Sequence, residues 1–229
     1  MIGNAEFGEG LQSPPLIDLA KRSHERSSLP GEIRIRGEQI GAGKWKEMLD
    51  LTDEDGKERE VLLSRNFITK KVKMSDMAIG YEVEDGHMVE ADHSLSFLED
   101  PLSFLHTHPD PNSINPNLRT TLLSQVDCEG FISNNVPCSV MIDKGGVHVL
   151  LRERDTFHER SPFPKDARKR AVDNAKNGLA LEAMKNLATT LRRYGVRYYF
   201  SPSHVADSDE TISLKDVQRY KTVSKLEVL

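Results

Sequence analysis

The sequence predicts a mixed α/β domain built on a single sheet of short strands. Short runs rich in Val, Ile, Leu and Phe recur between turn-forming clusters, and two pairs of them flank the hairpin signals Glu84-Asp85-Gly86 and Lys144-Gly145-Gly146. After Lys165 the apolar period switches to steps of three and four, the spacing of an amphipathic helix. At 229 residues the chain is long enough for one domain with its own core.

Taken in order, residues 1–31 are rich in Gly, Ser, Pro and charge and read as a flexible N-terminal arm with one short helix near Ile17 to Arg22. Ile33 and Ile35 alternate with polar residues, as in a strand. Trp45 to Thr52 fits a short helix or a strand. After Asp53-Glu54-Asp55-Gly56, a strand is expected from Glu58 to Ser64, then further strands at Phe67 to Met74, Ala78 to Val83 and His87 to Ala91. Leu102 to His106 is the next apolar strand, and Pro137 to Asp143 and Val147 to Arg152 form a hairpin. Val172, Ala175, Leu179, Ala183, Leu187, Leu191 and Tyr194 then mark a helix that stops at Gly195 behind Arg192 and Arg193, with Asn177-Gly178 a point where it can split. Val196 to Phe200 is a last strand. The domain is thus expected over residues 32–205, with 206–229 a polar, irregular tail.

Composition narrows the function. Hydrophobic residues make up 37% and charged residues 29%, the balance of a soluble globular protein. A net charge of −5 gives no electrostatic reason to expect nucleic acid as a partner. Cys128 and Cys138 make neither a disulfide framework nor a thiolate zinc site. No apolar run approaches the roughly 20 residues that span a bilayer, and Glu6 and Glu9 stand where a secretory signal would be apolar. The expectation is a cytoplasmic protein with no membrane partner.

The chemistry concentrates in Leu105-His106-Thr107-His108-Pro109 and, further on, Leu123-Ser124-Gln125-Val126-Asp127. Residues two apart on a strand point to one side, so His106 and His108 present two imidazoles to the same spot. Zinc favours imidazole and prefers four tetrahedral donors; a carboxylate makes the third, and water in the fourth position distinguishes a catalytic site. Ser124 and Asp127 stand three apart ahead of an expected helix and equally fit a capping pair.

These residues, H-x-H-P followed by S-x-x-D, resemble the JAMM motif of the MPN-domain (JAB-type) metalloproteases. The resemblance covers roughly residues 45 to 200. It implies a single mixed sheet of the MPN (cytidine-deaminase-like) kind flanked by helices, with one zinc ion per chain held by His106, His108 and Asp127. It further implies that Ser124 stabilises the tetrahedral intermediate and that an upstream Glu is the general base. Glu58 and Glu60, which lie 48 and 46 residues before His106 and lead into Val61-Leu62-Leu63, are the candidates, with Glu82 and Glu84 competing. The implied reaction is cleavage of a peptide or isopeptide bond, after the C-terminal glycine of ubiquitin or a ubiquitin-like protein, so the implied partner is a protein substrate.

One departure is plain. The family has about seven residues between the second His and the Ser, whereas fifteen intervene between His108 and Ser124. The surplus, Asp110 to Asn117, is loop-like and reads as an insertion. Ser113, inside it, has no acid three residues on. Two other readings stand beside this one: a non-peptidase metal hydrolase of the PHP or amidohydrolase barrel type, which also uses H-x-H but near the domain start and with more ligand histidines, and a non-catalytic MPN scaffold, which typically lacks the ligands. The plainest alternative is a chance H-x-H at a sheet end. His24, His87, His93, His148, His158 and His204 read as surface or loop residues, Cys128 and Cys138 as buried small side chains, and Arg168-Lys169-Arg170 as a solvated helix face.

Overall fold

The computed structural model describes residues 29–36, 42–69, 71–83, 86–88, 95, 97–109, 123–134, 136–153, 164, 180–202 and 211–220. The N-terminal helix near Ile17, the insertion Asp110 to Asn117 with Ser113, the stretch from Lys165 to Leu179, and His24, His93, His158 and His204 lie outside these residues.

Among the described residues, eleven strands form a nine-stranded mixed sheet and a two-stranded ribbon. In chain order they are β1 (Glu32–Arg36), β2 (Arg59–Asn66), β3 (Val72–Met74), β4 (Ala78–Ile79), β5 (Tyr81–Val83), β6 (Gly86–Met88), β7 (Glu99–Thr107), β8 (Cys138–Asp143), β9 (Gly146–Arg152), β10 (Val196–Ser201) and β11 (Thr211–Asp216). The sheet runs β1-β11-β10-β9-β8-β7-β2-β3, with β4 also on β2, while β5 and β6 make the ribbon. Every pair in the sheet is antiparallel except β7 with β8. Parallel neighbours need a crossover, and here the connection contains α2 (Gln125–Ser133). The other helices are α1 (Ala42–Asp55) and α3 (Ala180–Arg193).

Burial decides the ambiguous segment around Trp45. Trp45, Met48 and Thr52 are all buried, at helical steps of three and four. The helix ends at Gly56, whose φ of 72° suits the left-handed cap position and whose N–H donates to Thr52 O at 2.8 Å. α1 packs its buried face on one side of the sheet with Val61, Leu105, Val140, Ile142 and Val149. On the other side, Met184, Leu187, Ala188 and Leu191 of α3 and Cys128 and Phe131 of α2 cover Met141, Leu150, Tyr198 and Phe200. With both faces covered, β8 and β9 are buried throughout.

Four expectations about the fold need correcting. The strand expected over Phe67 to Met74 is only Val72–Met74, because Asn66 Oδ1 accepts the N–H groups of Ile68 and Thr69 and turns the chain. The strand expected from Ala78 to Val83 breaks at Gly80 into β4 and β5, which belong to different sheets. The stretch after residue 205 is not an irregular tail throughout: β11 inserts between β1 and β10, and a 3-10 turn at Val217–Arg219 follows. Leu29, expected in the N-terminal arm, is buried in the core, and Tyr199 Oη donates to Pro30 O at 2.5 Å.

No helix among the described residues is long and apolar enough to cross a membrane.

Candidate metal centre

The strand register assembles the site. His106 of β7 lies opposite Glu60 of β2 and beside Met141 of β8. Partners in register share a face, so Glu60 and His106 point to the side of the sheet that α2 and α3 cover. Thr107, between the two histidines, points the other way, where its hydroxyl lies 2.7 Å from that of Thr52 on α1. Arg59 takes the same opposite side, with Nη1 and Nη2 donating to Asp55 Oδ1 and Oδ2 at 2.9 and 2.8 Å. That guanidinium holds the Asp55 carboxyl down to about 2. His108, just past the strand end, is fixed by its own N–H, which donates to Ile142 O at 3.0 Å.

The third donor comes from α2. Ser124 caps this helix: its Oγ accepts Asp127 N–H at 3.0 Å, while Asp127 Oδ2 accepts Ser124 N–H at 2.5 Å. This is a reciprocal capping box with Asp in place of the usual Glu. It leaves the carboxylate aimed at the strand end, with Oδ1 3.5 Å from His106 Nε2 and Oδ2 3.4 Å from His108 Nε2. The cap and the cluster are therefore one arrangement. The ligating atoms of His106, His108 and Asp127 all lie within 4.8 Å of one another. The two imidazole centroids are 5.1 Å apart.

Charge and burial in this cluster are unusual. Both histidines are buried, at 5% and 4% exposure, yet His106 Nδ1 and Nε2 and His108 Nε2 make no hydrogen bond. A buried polar atom without a partner is costly and rare in a folded protein. Burial pushes the His106 imidazole below its ordinary range, against the pull of Asp127. Burial acts the same way on His108, but Asp127 and Glu58 outweigh it and raise the ring to about 9. Asp127 is held well below the usual carboxylate range: burial opposes its charge, and His108 and His106 overcome that. A cation shared by two imidazoles and a carboxylate would satisfy the orphaned Nε2 atoms, and the donor set suits a divalent transition metal. The group could bind a metal ion.

Among the candidate bases, Glu58 places its Oε1 3.6 Å from His108 Nε2, outside the three-donor group. Glu60 shares its face and its charge acts on His106. Glu82 lies on β5, in the separate ribbon, and Glu84 is outside the described residues.

Two buried polar residues were not legible as such in the sequence. His148 is not a surface or loop residue: it is fully buried on β9, beside Met141, with Nδ1 2.6 Å from Tyr198 Oη. Burial lowers its ring to about 4. The usable signal was its position inside the apolar run Val147 to Leu151, the pattern of a strand covered on both faces. Arg152, at the end of that strand, is buried against the end of α2. Cys128 and Cys138 are buried, as expected, and burial pushes the Cys138 thiol up to about 12. A comparison with models of known families, with curated proteins and with solved structures finds no match to this chain.

Proposed function

We propose that this chain is a zinc-dependent peptidase or isopeptidase of the JAMM type, cleaving amide bonds of a protein substrate. The observation that carries this reading is the convergence of His106, His108 and Asp127 on one buried point, with Ser124 on the same helix turn. Zinc, when bound, supplies the Lewis acidity that makes hydroxide available near neutral pH. Everything else falls to the chain's own residues. His106, His108 and Asp127 are the residues that would hold the ion. Glu58, whose Oε1 stands 3.6 Å from His108 Nε2, accepts the proton of the attacking water and returns it to the leaving amine. The Ser124 hydroxyl, which accepts from Asp127 N–H, still has a proton to donate to the oxygen that becomes negative during attack.

The H-x-H-P and S-x-x-D resemblance directs the substrate reading to an amide bond after the C-terminal glycine of ubiquitin or a ubiquitin-like protein. A largely antiparallel sheet lends no support to a barrel hydrolase, and the retained donor set lends none to a non-catalytic scaffold.

The expected result is one zinc ion per purified chain, lost in His106→Ala and in Asp127→Ala. Elemental analysis showing no stoichiometric metal, or two ions, sinks the reading. Glu58→Gln should keep the ion and lose hydrolysis in a cleavage screen of ubiquitin-like fusions run with and without chelator. If Glu60→Gln does this and Glu58→Gln does not, the base is Glu60.

A further inference from the structure

We propose that Arg152 is the positioning residue that fixes α2, and with it Asp127, at ligand distance from the two imidazoles; this rests on the metal-site reading above. α2 has only nine residues, and isolated helices below roughly 12 residues are marginal in water. Its position must therefore come from contacts at its ends and along its buried face. At the N-terminal end those contacts are the capping box, which spends Asp127 itself. At the C-terminal end the last carbonyls have no partner within the helix.

Arg152 supplies donors there. Its Nη2 donates to Phe131 O and, at 2.5 Å, to Asn134 O, and its Nε donates to Val136 O at 3.3 Å. The guanidinium carbon lies 5.0 Å from the centroid of the Phe131 ring. A cation at this end also complements the negative pole of the helix. The side chain is 4% exposed, so these bonds are made in a setting of low polarity, where they are stronger. The base from which it reaches is rigid: Arg152 N–H donates to Pro137 O at 3.1 Å, and the residue pairs with Val196 of β10.

Arg152 does not touch the donors. The four steps from Asp127 to Phe131 span about 6 Å of helix, and the influence travels through the helix as a rigid rod. The carboxylate stands 3.4 and 3.5 Å from the two Nε2 atoms, so a small shift of the rod is a large fractional change in ligand geometry. A lysine would keep the charge but not the planar fork that serves several carbonyls or the stacking on Phe131.

The test uses the full chain as wild type, Arg152→Lys and Arg152→Met. Zinc affinity is read by competition with a chromogenic chelator, and amide hydrogen exchange is read in the chelated protein. Arg152→Lys should fold, bind zinc about tenfold more weakly, the low end of what losing a direct partner of a ligand costs, and exchange faster at Cys128 to Asn134 while β8 and β9 keep wild-type rates. Arg152→Met should do so more strongly. A purely structural role lowers the thermal midpoint and leaves the zinc Kd alone. A folded Arg152→Lys with the wild-type Kd overturns the proposal, as does the unfolding of both variants, because the residue then holds the whole fold and not this helix. If the wild type takes up no zinc, the functional reading fails, and the exchange data still decide Arg152. Faster exchange confined to α2 supports it, and unchanged exchange overturns it.

Discussion

Ser124 and Asp127 each do two things with one side chain, and substitution can separate the two. Ser124 Oγ caps α2 through Asp127 N–H and stands in the proposed oxyanion position. Loss of a capping side chain to Ala costs about 1 kcal/mol, and to Gly only a few tenths, whereas loss of an oxyanion donor costs on the order of 10²- to 10³-fold in kcat. Ser124→Ala and Ser124→Gly should therefore differ in stability yet lose activity alike. Equal stability loss, or activity that follows stability, would contradict the assignment. His148 offers a pH test at the same scale. Its ring is held at about 4 in the folded chain by burial, against about 6.5 unfolded. A basic group with a depressed folded pKa leaves the unfolded state binding more protons as pH falls, so stability is lost between about 6.5 and about 4 and not further below. Between pH 7 and pH 5, with chelator present throughout, wild type should lose about 2 kcal/mol relative to His148→Gln in urea unfolding. A difference between the two proteins that does not change with pH would show that His148 titrates normally.

The elements that position the centre were legible in the sequence to different degrees, and the differences have physical causes. β7 and the β8–β9 hairpin were visible because short apolar runs bounded by His-Pro or Gly-Gly have few other solutions. The two imidazoles followed from strand periodicity alone, as did the capping pair from its spacing. That the cap also aims Asp127 at the strand end was an allowance of the sequence, and the register plus the parallel β7–β8 crossover turns it into geometry. What stayed hidden was long-range. Trp45 to Thr52 read as helix or strand because its buried set is fixed by the sheet it meets. The turn after Asn66 was hidden by the apolar Phe67 and Ile68, which the structure leaves exposed. Arg152 looked like the end of a hairpin strand, since no local pattern can show that its guanidinium meets the carbonyls of a helix some twenty residues earlier. Candidate ligands show in residue type and spacing, whereas a long-range contact such as that of Arg152 does not.

At the scale of the molecule, one side of the described sheet is formed by β1 and β11, which come from opposite ends of the described residues. β11 reads as polar because only Ile212 and Leu214 are apolar in Thr211–Asp216, but alternation puts both inward, where they are buried with Asp216. Asp216 accepts from Arg192 at 2.6 Å, tying β11 to the last turn of α3, and β1 has β11 as its sheet neighbour. Burying Ile212, Leu214 and Val217 contributes about 5–9 kcal/mol at roughly 1.5–3 kcal/mol each, as large as the net stability of many domains, which is about 5–15 kcal/mol. A chain cut after Pro202 loses all of this and leaves the edges of β1 and β10 unpaired. The candidate metal centre lies four strands away, about 19 Å at roughly 4.8 Å per strand, so an independent tail would leave the proposed zinc uptake untouched. If the sheet folds as one cooperative unit, the truncated chain should show no cooperative thermal transition and should bind no zinc, although every donor residue is present. A truncated protein with the wild-type midpoint and a full complement of zinc would show that β11 is an addition to the domain and not part of it.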